Sequence, residues 1–93
     1  MIRSFADRES ERIWLGERSR RLPPDIQPGA LRKLELINAA ERLDDLRAPP
    51  GNRLETLRGD RAGQHSIRIN QQWRICFRWN DGHCDEVEIC DYH

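Results

Sequence analysis

Residues 73–79, Trp73-Arg74-Ile75-Cys76-Phe77-Arg78-Trp79, alternate strictly between large apolar side chains and Arg, Cys, Arg. A two-residue period sends successive side chains to opposite faces of a strand. Trp73, Ile75, Phe77 and Trp79 therefore face a core, and Arg74, Cys76 and Arg78 face away. Working outward, Asn80-Asp81-Gly82 is a hairpin signal, because these residue types accept the left-handed backbone of a tight β-turn. Past that turn, Val87 and Ile89 fall on the core face, with Glu86, Glu88 and Cys90 on the second face. Upstream, residues 64–69 alternate as well, Ile67 and Ile69 inward and Ser66 and Arg68 outward. Residues 54–57 read as one further short strand, joined to it by the loop Arg58-Gly59-Asp60-Arg61-Ala62-Gly63.

The N-terminal half has a different period. Residues 2–5 read as a short edge strand. Asp7 is placed to cap a helix, with Glu9 and Glu11 in the first turn suiting the helix dipole. That helix is expected to run to about Arg18, with Ile13, Trp14 and Leu15 as its apolar patch. Leu22-Pro23-Pro24 ends it. Asp25 is expected to cap a second helix, in whose first turn Pro28 costs no intrahelical bond. Ala30, Leu31, Leu34, Ile37, Ala40 and Leu43 recur at helical spacing and read as core. Pro49-Pro50-Gly51-Asn52 is a turn-rich connector between helix and sheet. The expected architecture is a single α+β domain over residues 1–93, with two N-terminal helices packed on one face of a small, mainly antiparallel C-terminal sheet. The opposite face is expected to be polar, lined by Arg68, Arg74, Arg78, Glu86 and Glu88, part of it as cross-strand Arg–Glu pairs.

Composition narrows the function classes. Ninety-three residues leave room for one small core. No apolar run approaches the ~20 residues that cross a bilayer, and residues 1–14 are charged throughout, so no membrane association and a cytoplasmic setting are expected. The three cysteines Cys76, Cys84 and Cys90 form no C-x-x-C pair. A zinc site using Cys84, Cys90 and His83 or His93 matches no common zinc spacing, so reduced thiols within strands are expected, and no cofactor.

The formal net charge is zero, but it is unevenly spread. Residues 47–78 carry seven arginines against Glu55 and Asp60, and residues 79–93 carry five acids and neither Lys nor Arg. Fifteen of the sixteen basic residues are Arg, the exception being Lys33. Guanidinium clamps phosphate bidentately and stacks on bases, which favours a phosphate-bearing partner.

No phosphate-binding glycine loop, dinucleotide fingerprint, serine elbow or zinc-protease helix is present. What remains is a constellation of Glu55, Arg58, Arg61, Arg74, Tyr92 and His93. These are the parts for RNA cleavage by the ribose 2′-OH. That reaction needs a base, cationic donors for the phosphorane and an acid for the leaving 5′ oxygen, and no metal. His65 and His83 read as structural or exposed.

Arg58-Gly59-Asp60-Arg61-Ala62-Gly63, Ser66-Ile67-Arg68-Ile69-Asn70, Gln72-Trp73-Arg74-Ile75-Cys76-Phe77 and the terminal Asp91-Tyr92-His93 together resemble the HigB toxins of the RelE/ParE toxin–antitoxin superfamily. The resemblance spans essentially the whole chain, including its Met-Ile-Arg-Ser-Phe start. It implies an mRNA interferase that cuts message in the ribosomal A site. It further implies a HigA-like helix-turn-helix antitoxin, with operator DNA met only through that antitoxin. By position, it assigns Arg74 to the scissile phosphate, Tyr92 to the nucleotide, His93 to acid or base chemistry, and Asp91 to orienting His93 or contacting the nucleotide. Arg58, where relatives often carry Lys, is assigned to phosphate contact. From the residues themselves, Arg61 on the same Gly-flanked loop, and Arg68 and Arg78 on the polar sheet face, are expected to contact RNA or the ribosome. Glu55 stands where well-studied members have a catalytic His. A carboxylate is already ionised at neutral pH and can serve as base. The rival readings are a non-catalytic, ParE-like inhibitor of DNA gyrase and an RNA-binding adaptor that does not cut.

Overall fold

The computed structural model describes residues 1–91, so the expectations for Tyr92 and His93 lie outside the described residues. Helix α1 spans Arg8–Trp14. The Asp7 carboxylate accepts the Ser10 N–H at 2.7 Å, as a capping side chain should. The helix stops four residues short of its expected end. Gly16 takes φ +81°, its N–H bonds the Ile13 carbonyl, and the Glu17 N–H bonds the Arg12 carbonyl. Those paired bonds terminate a helix with a left-handed residue, which glycine adopts without a Cβ clash. Arg18 is therefore a loop residue.

Helix α2 spans Gln27–Ala39 and follows directly on a tight turn at Pro24–Ile26. Asp25 lies within that turn and not at the cap. Ile26 holds the cap position, and no side chain bonds the helix start. The junction is closed by Gln27, whose Nε2 donates to the carbonyls of Ser19 and Leu22, both at 2.9 Å.

Four antiparallel strands follow in sequence order: β1 Glu55–Thr56, β2 His65–Arg68, β3 Trp73–Asn80 and β4 His83–Asp91. The N-terminal residues make isolated parallel bridges to the outer edge of β4, Ile2 with Cys84 and Phe5 with Val87, and not a full strand. Asp81 and Gly82 both take positive φ at the β3–β4 turn, as the hairpin reading requires. The pairing slips between Cys76 and Arg78, where Glu86 adopts φ +53°. This bulge inserts one extra residue into β4 and inverts the alternation across it. Cys84 and Val87 consequently share the core side. The Ser4 hydroxyl accepts the Glu86 N–H at 2.9 Å and latches the bulge to the N-terminus.

Ile13 of α1 and Ala30, Leu34 and Ile37 of α2 share one apolar cluster with Ile67, Ile75, Phe77, Val87 and Ile89 of the sheet. Leu31 and Leu43 sit half-buried at its margin. A second, separate cluster of Leu57, Cys76 and Cys90 lies on the other side of the sheet. No helix among the described residues is long and apolar enough to cross a membrane.

Candidate active site

The strand register lays out the outer sheet face as a grid. One row runs Glu55, Ser66, Cys76, Glu88, and the next runs Arg68, Arg74, Cys90. Arg74 is the centre of this grid and is only 7% exposed. Its side chain does not meet Glu86 or Glu88, as cross-strand pairing alone suggests. It leans diagonally, with Nε donating to Ser66 Oγ at 2.8 Å and Nη2 donating to the Arg53 carbonyl at 2.7 Å. The Glu55 carboxylate lies 4.0 Å from the same Nη2. Arg74 and Glu55 are thus brought together, with the carboxylate half exposed and the guanidinium fixed beneath it.

The connector, which sequence reasoning treated only as a turn, does the positioning. Asn52 is fully buried, and its Nδ2 donates to the carbonyls of Leu46 and Ala48, each at 3.2 Å. Its Oδ1 accepts from Lys33 of α2. Arg53 follows with a left-handed backbone, φ +46°, and its carbonyl accepts the Arg74 bond. An Asn before a left-handed residue is a common turn device, and that was the only available sequence signal.

The other expected cations divide into two groups. Arg61 lies on the 58–63 loop and pairs with Glu88 at 3.1 Å, and Arg78 pairs with Glu86. Arg78 also crosses Gly63, where an added Cβ would sit 2.8 Å from its guanidinium. Arg68 donates to the Asn70 carbonyl at the β2–β3 turn. Arg58 is exposed at the start of the loop, without an ion pair among the described residues. Asp91 pairs in register with Trp73, and its carboxylate accepts from Gln72 at 3.0 Å. Alternation puts it on the face opposite Arg74.

One basic surface escaped the sequence reading. Arg18, Arg20 and Arg21 follow α1 on a loop locked by buried Ser19, whose hydroxyl donates to Glu9 at 2.7 Å and accepts the N–H of Arg21 and Leu22. Arg12, Arg18 and Arg20 border a cleft of about 650 Å³, and the same three with Arg21 and Glu9 border a second of about 390 Å³. The Nε of Arg12 is buried without a hydrogen-bond partner among the described residues, and the Glu9 carboxylate lies 3.6 Å from it. Scattered arginines in a charge-balanced half of the chain carry no periodic signal, so only the fold shows them converging.

Cys84 and Cys90 fall on opposite faces of the sheet, which takes apart the Cys84–Cys90 zinc arrangement considered from sequence. Burial pushes the Cys84 thiol up to about 11. Cys76 and Cys90 are neighbours instead, with sulfurs 2.8 Å apart. The hydrogen bond that the two share holds the Cys76 thiol below its usual range and, with burial, raises that of Cys90. His65 is half-buried, and burial lowers its pKa. Its Nδ1 lies 3.2 Å from Thr56 Oγ1.

A short helical pair against a four-stranded antiparallel sheet is the fold of RelE-like toxins. The chain superposes along its whole length on a chain of the YoeB–YefM complex from Staphylococcus aureus, covering 98% of it with a TM-score of 0.62 at 16% identity. A family profile described as the RelE-like toxin of the type II toxin–antitoxin system HigB matches residues 3–93. Toxin HigB-1 of Vibrio cholerae is 43% identical over 83 residues, covering 88% of this chain and 87% of that protein. An uncharacterized protein of Haemophilus influenzae is 32% identical over 74 residues, covering 80% and 73% respectively. The chain belongs to the HigB-like toxins of type II toxin–antitoxin systems.

Proposed function

We propose that this toxin is a ribosome-dependent mRNA endoribonuclease that cleaves message in the A site and is neutralised by a HigA-like helix-turn-helix antitoxin. The observation that carries the reading is Arg74, a buried guanidinium held by Ser66 and the Arg53 carbonyl with the Glu55 carboxylate 4.0 Å away. A fixed cation beside an exposed carboxylate is what 2′-OH attack on a phosphodiester requires. Glu55 takes the 2′ proton, and the 2′ oxygen attacks phosphorus. Arg74 stabilises the charge that grows on the non-bridging oxygens. Preorganised donors of this kind are worth about 10²–10³ in rate. His93 gives a proton to the departing 5′ oxygen, Tyr92 holds the nucleotide and Asp91 orients His93. The scheme draws on no metal or cofactor.

Such a site carries few base-reading groups, so the ribosome supplies the reactive geometry of the message. Arg58, Arg18, Arg20 and Arg21 are exposed cations suited to ribosomal phosphate, and Arg61, Arg68 and Arg78 frame the approach to Arg74. Contact with operator DNA runs through the antitoxin alone.

The test is primer extension on cellular messages after induction of the wild-type toxin and of Arg74→Ala. Truncated transcripts with the wild type, lost in the variant, are expected. Intact transcripts during growth arrest would overturn the reading, and gyrase-linked cleaved DNA in their place would favour the non-catalytic rival.

A further inference from the structure

We propose that Cys76 and Cys90 are a site of oxidative modification, which hydrogen peroxide converts into an intramolecular disulfide beside Arg74. The two sulfurs lie 2.8 Å apart, inside the ≈ 3.5–4.0 Å separation of non-bonded carbons in a packed interior. Two thiols packed merely as small apolar groups have no reason to approach so closely. Cys76 faces Glu88 and Cys90 faces Arg74 across the same strand pair, so the two cysteines are diagonal neighbours that both project from the outer face. Cys84 points into the core on the other face, its sulfur 3.9 Å from the Ile37 carbonyl, and cannot compete.

The surroundings give the two thiols different roles. Cys76 shares a hydrogen bond with Cys90 and feels the positive charges of Arg61 and Arg74, which favour its thiolate against the opposing cost of burial. Glu88 opposes this, but its own charge is partly met by Arg61 at 3.1 Å. Once ionised, with its proton released to solvent, Cys76 attacks one oxygen of peroxide. The O–O bond breaks, and the departing hydroxide takes the Cys90 proton and leaves as water. The Cys90 thiolate then attacks the Cys76 sulfenic sulfur. The S–S bond forms, the S–O bond breaks, and the second hydroxide regains the released proton as water. Two thiols and one peroxide become one disulfide and two waters.

Cys76 is fully buried and Cys90 9% exposed, so only a small oxidant reaches the pair, and bulky thiol reagents do so slowly. The bond ties β3 to β4 at the rung that carries Arg74 and one residue before Asp91. Its effect on RNA cleavage rests on the function proposed above, whereas its formation does not.

The experiment treats the purified full-length toxin with hydrogen peroxide, denatures it, alkylates the thiols and measures the intact mass and the linked peptides. Untreated protein is expected to carry an adduct on each of its three cysteines. After treatment one adduct is expected, on Cys84, with a Cys76–Cys90 linked peptide that dithiothreitol removes. Cys90→Val keeps an apolar side chain at this position and should yield oxygen adducts on Cys76 without a link. Three adducts after treatment, or a link involving Cys84, would overturn the proposal, as would sulfinic acid in wild-type protein without a link. In a translating extract, the oxidised toxin is expected to cleave about ten- to a hundredfold more slowly, because shifts near 1 Å at a reacting group cost that much. If the disulfide forms and cleavage is unchanged, the modification site stands and its control of activity falls. If the reduced toxin leaves messages intact, the function falls and the site stands.

Discussion

The two faces of the sheet are built by opposite rules. On the helix-covered face, Ile67, Ile75, Phe77, Val87 and Ile89 merge with Ile13, Ala30, Leu34 and Ile37 into one continuous apolar body. On the outer face, the apolar material shrinks to Leu57, Cys76 and Cys90, and a guanidinium is buried beside them. The first face gains its stability from area removed from water, and substitution there is felt in proportion to the volume lost. On the second face a charge is out of water, and Ser66, Arg53 and Glu55 are among the groups that satisfy it. Groups held at a cost to stability are a mark of functional surfaces, which makes the outer face the candidate.

That contrast can be broken by substitution. The largest effect is expected from Phe77→Ala, which empties the most voluminous fully buried side chain in the core. Chemical denaturation should show a loss of about 3–5 kcal/mol, enough to unfold many small domains. Arg74→Ala should instead act on chemistry. Cleavage in a translating extract should fall by roughly 10²–10³, while antitoxin binding by the folded variant is retained. Arg74→Lys should not restore the rate, because an ammonium lacks the fork that reaches Ser66 and the Arg53 carbonyl together. If Arg74→Ala cleaves normally, the outer face is structural and the contrast has been misassigned.

A smaller effect is expected from Asn52→Ala. The carbonyls of Leu46 and Ala48 would lose a buried donor, and thermal unfolding should register about 1–3 kcal/mol. Cleavage should fall further than that stability loss explains, because the Arg53 carbonyl that anchors Arg74 loses its support. The smallest expected effect is at His65, which pairs in register with Phe77 and whose pKa is lowered by burial. The neutral ring is favoured in the folded state. As pH falls below the ordinary histidine range, the unfolded chain binds a proton before the folded one does, so stability declines with acidification. The decline ends once pH passes below the folded pKa. Urea midpoints between pH 7 and pH 5 should show it in the wild type and less of it in His65→Gln.

Much of the fold was legible beforehand because its signals are periodic. The alternation in residues 73–79, the Asp81-Gly82 turn and the α2 stripe each appear in the structure where the pattern put them. The misses lie where a local device overrode the pattern. Gly16 ended α1 early, the Pro24–Ile26 turn displaced Asp25 from its capping role, and residues 2–5 formed bridges in place of a strand. Of the candidate site, the outward orientation of Arg74 was readable, but its diagonal reach to Ser66 and Arg53 was not.

The linear order of residues settled which side chains leave the sheet together, because side-chain direction in a strand is a property of the backbone repeat. It settled too that this is a HigB-like chain, since Gly-Asp-Arg, Trp-Arg-Ile and the terminal Asp-Tyr-His are local strings. Only the folded chain decided which charges meet. The Arg74–Glu55 approach depends on the register of three strands and the left-handed turn at Arg53. The Cys76–Cys90 contact depends on the pairing of β3 with β4, and the Arg18–Arg21 cleft depends on how Gln27 clamps a loop. Distances between residues far apart in sequence are set by packing, and no local pattern encodes them.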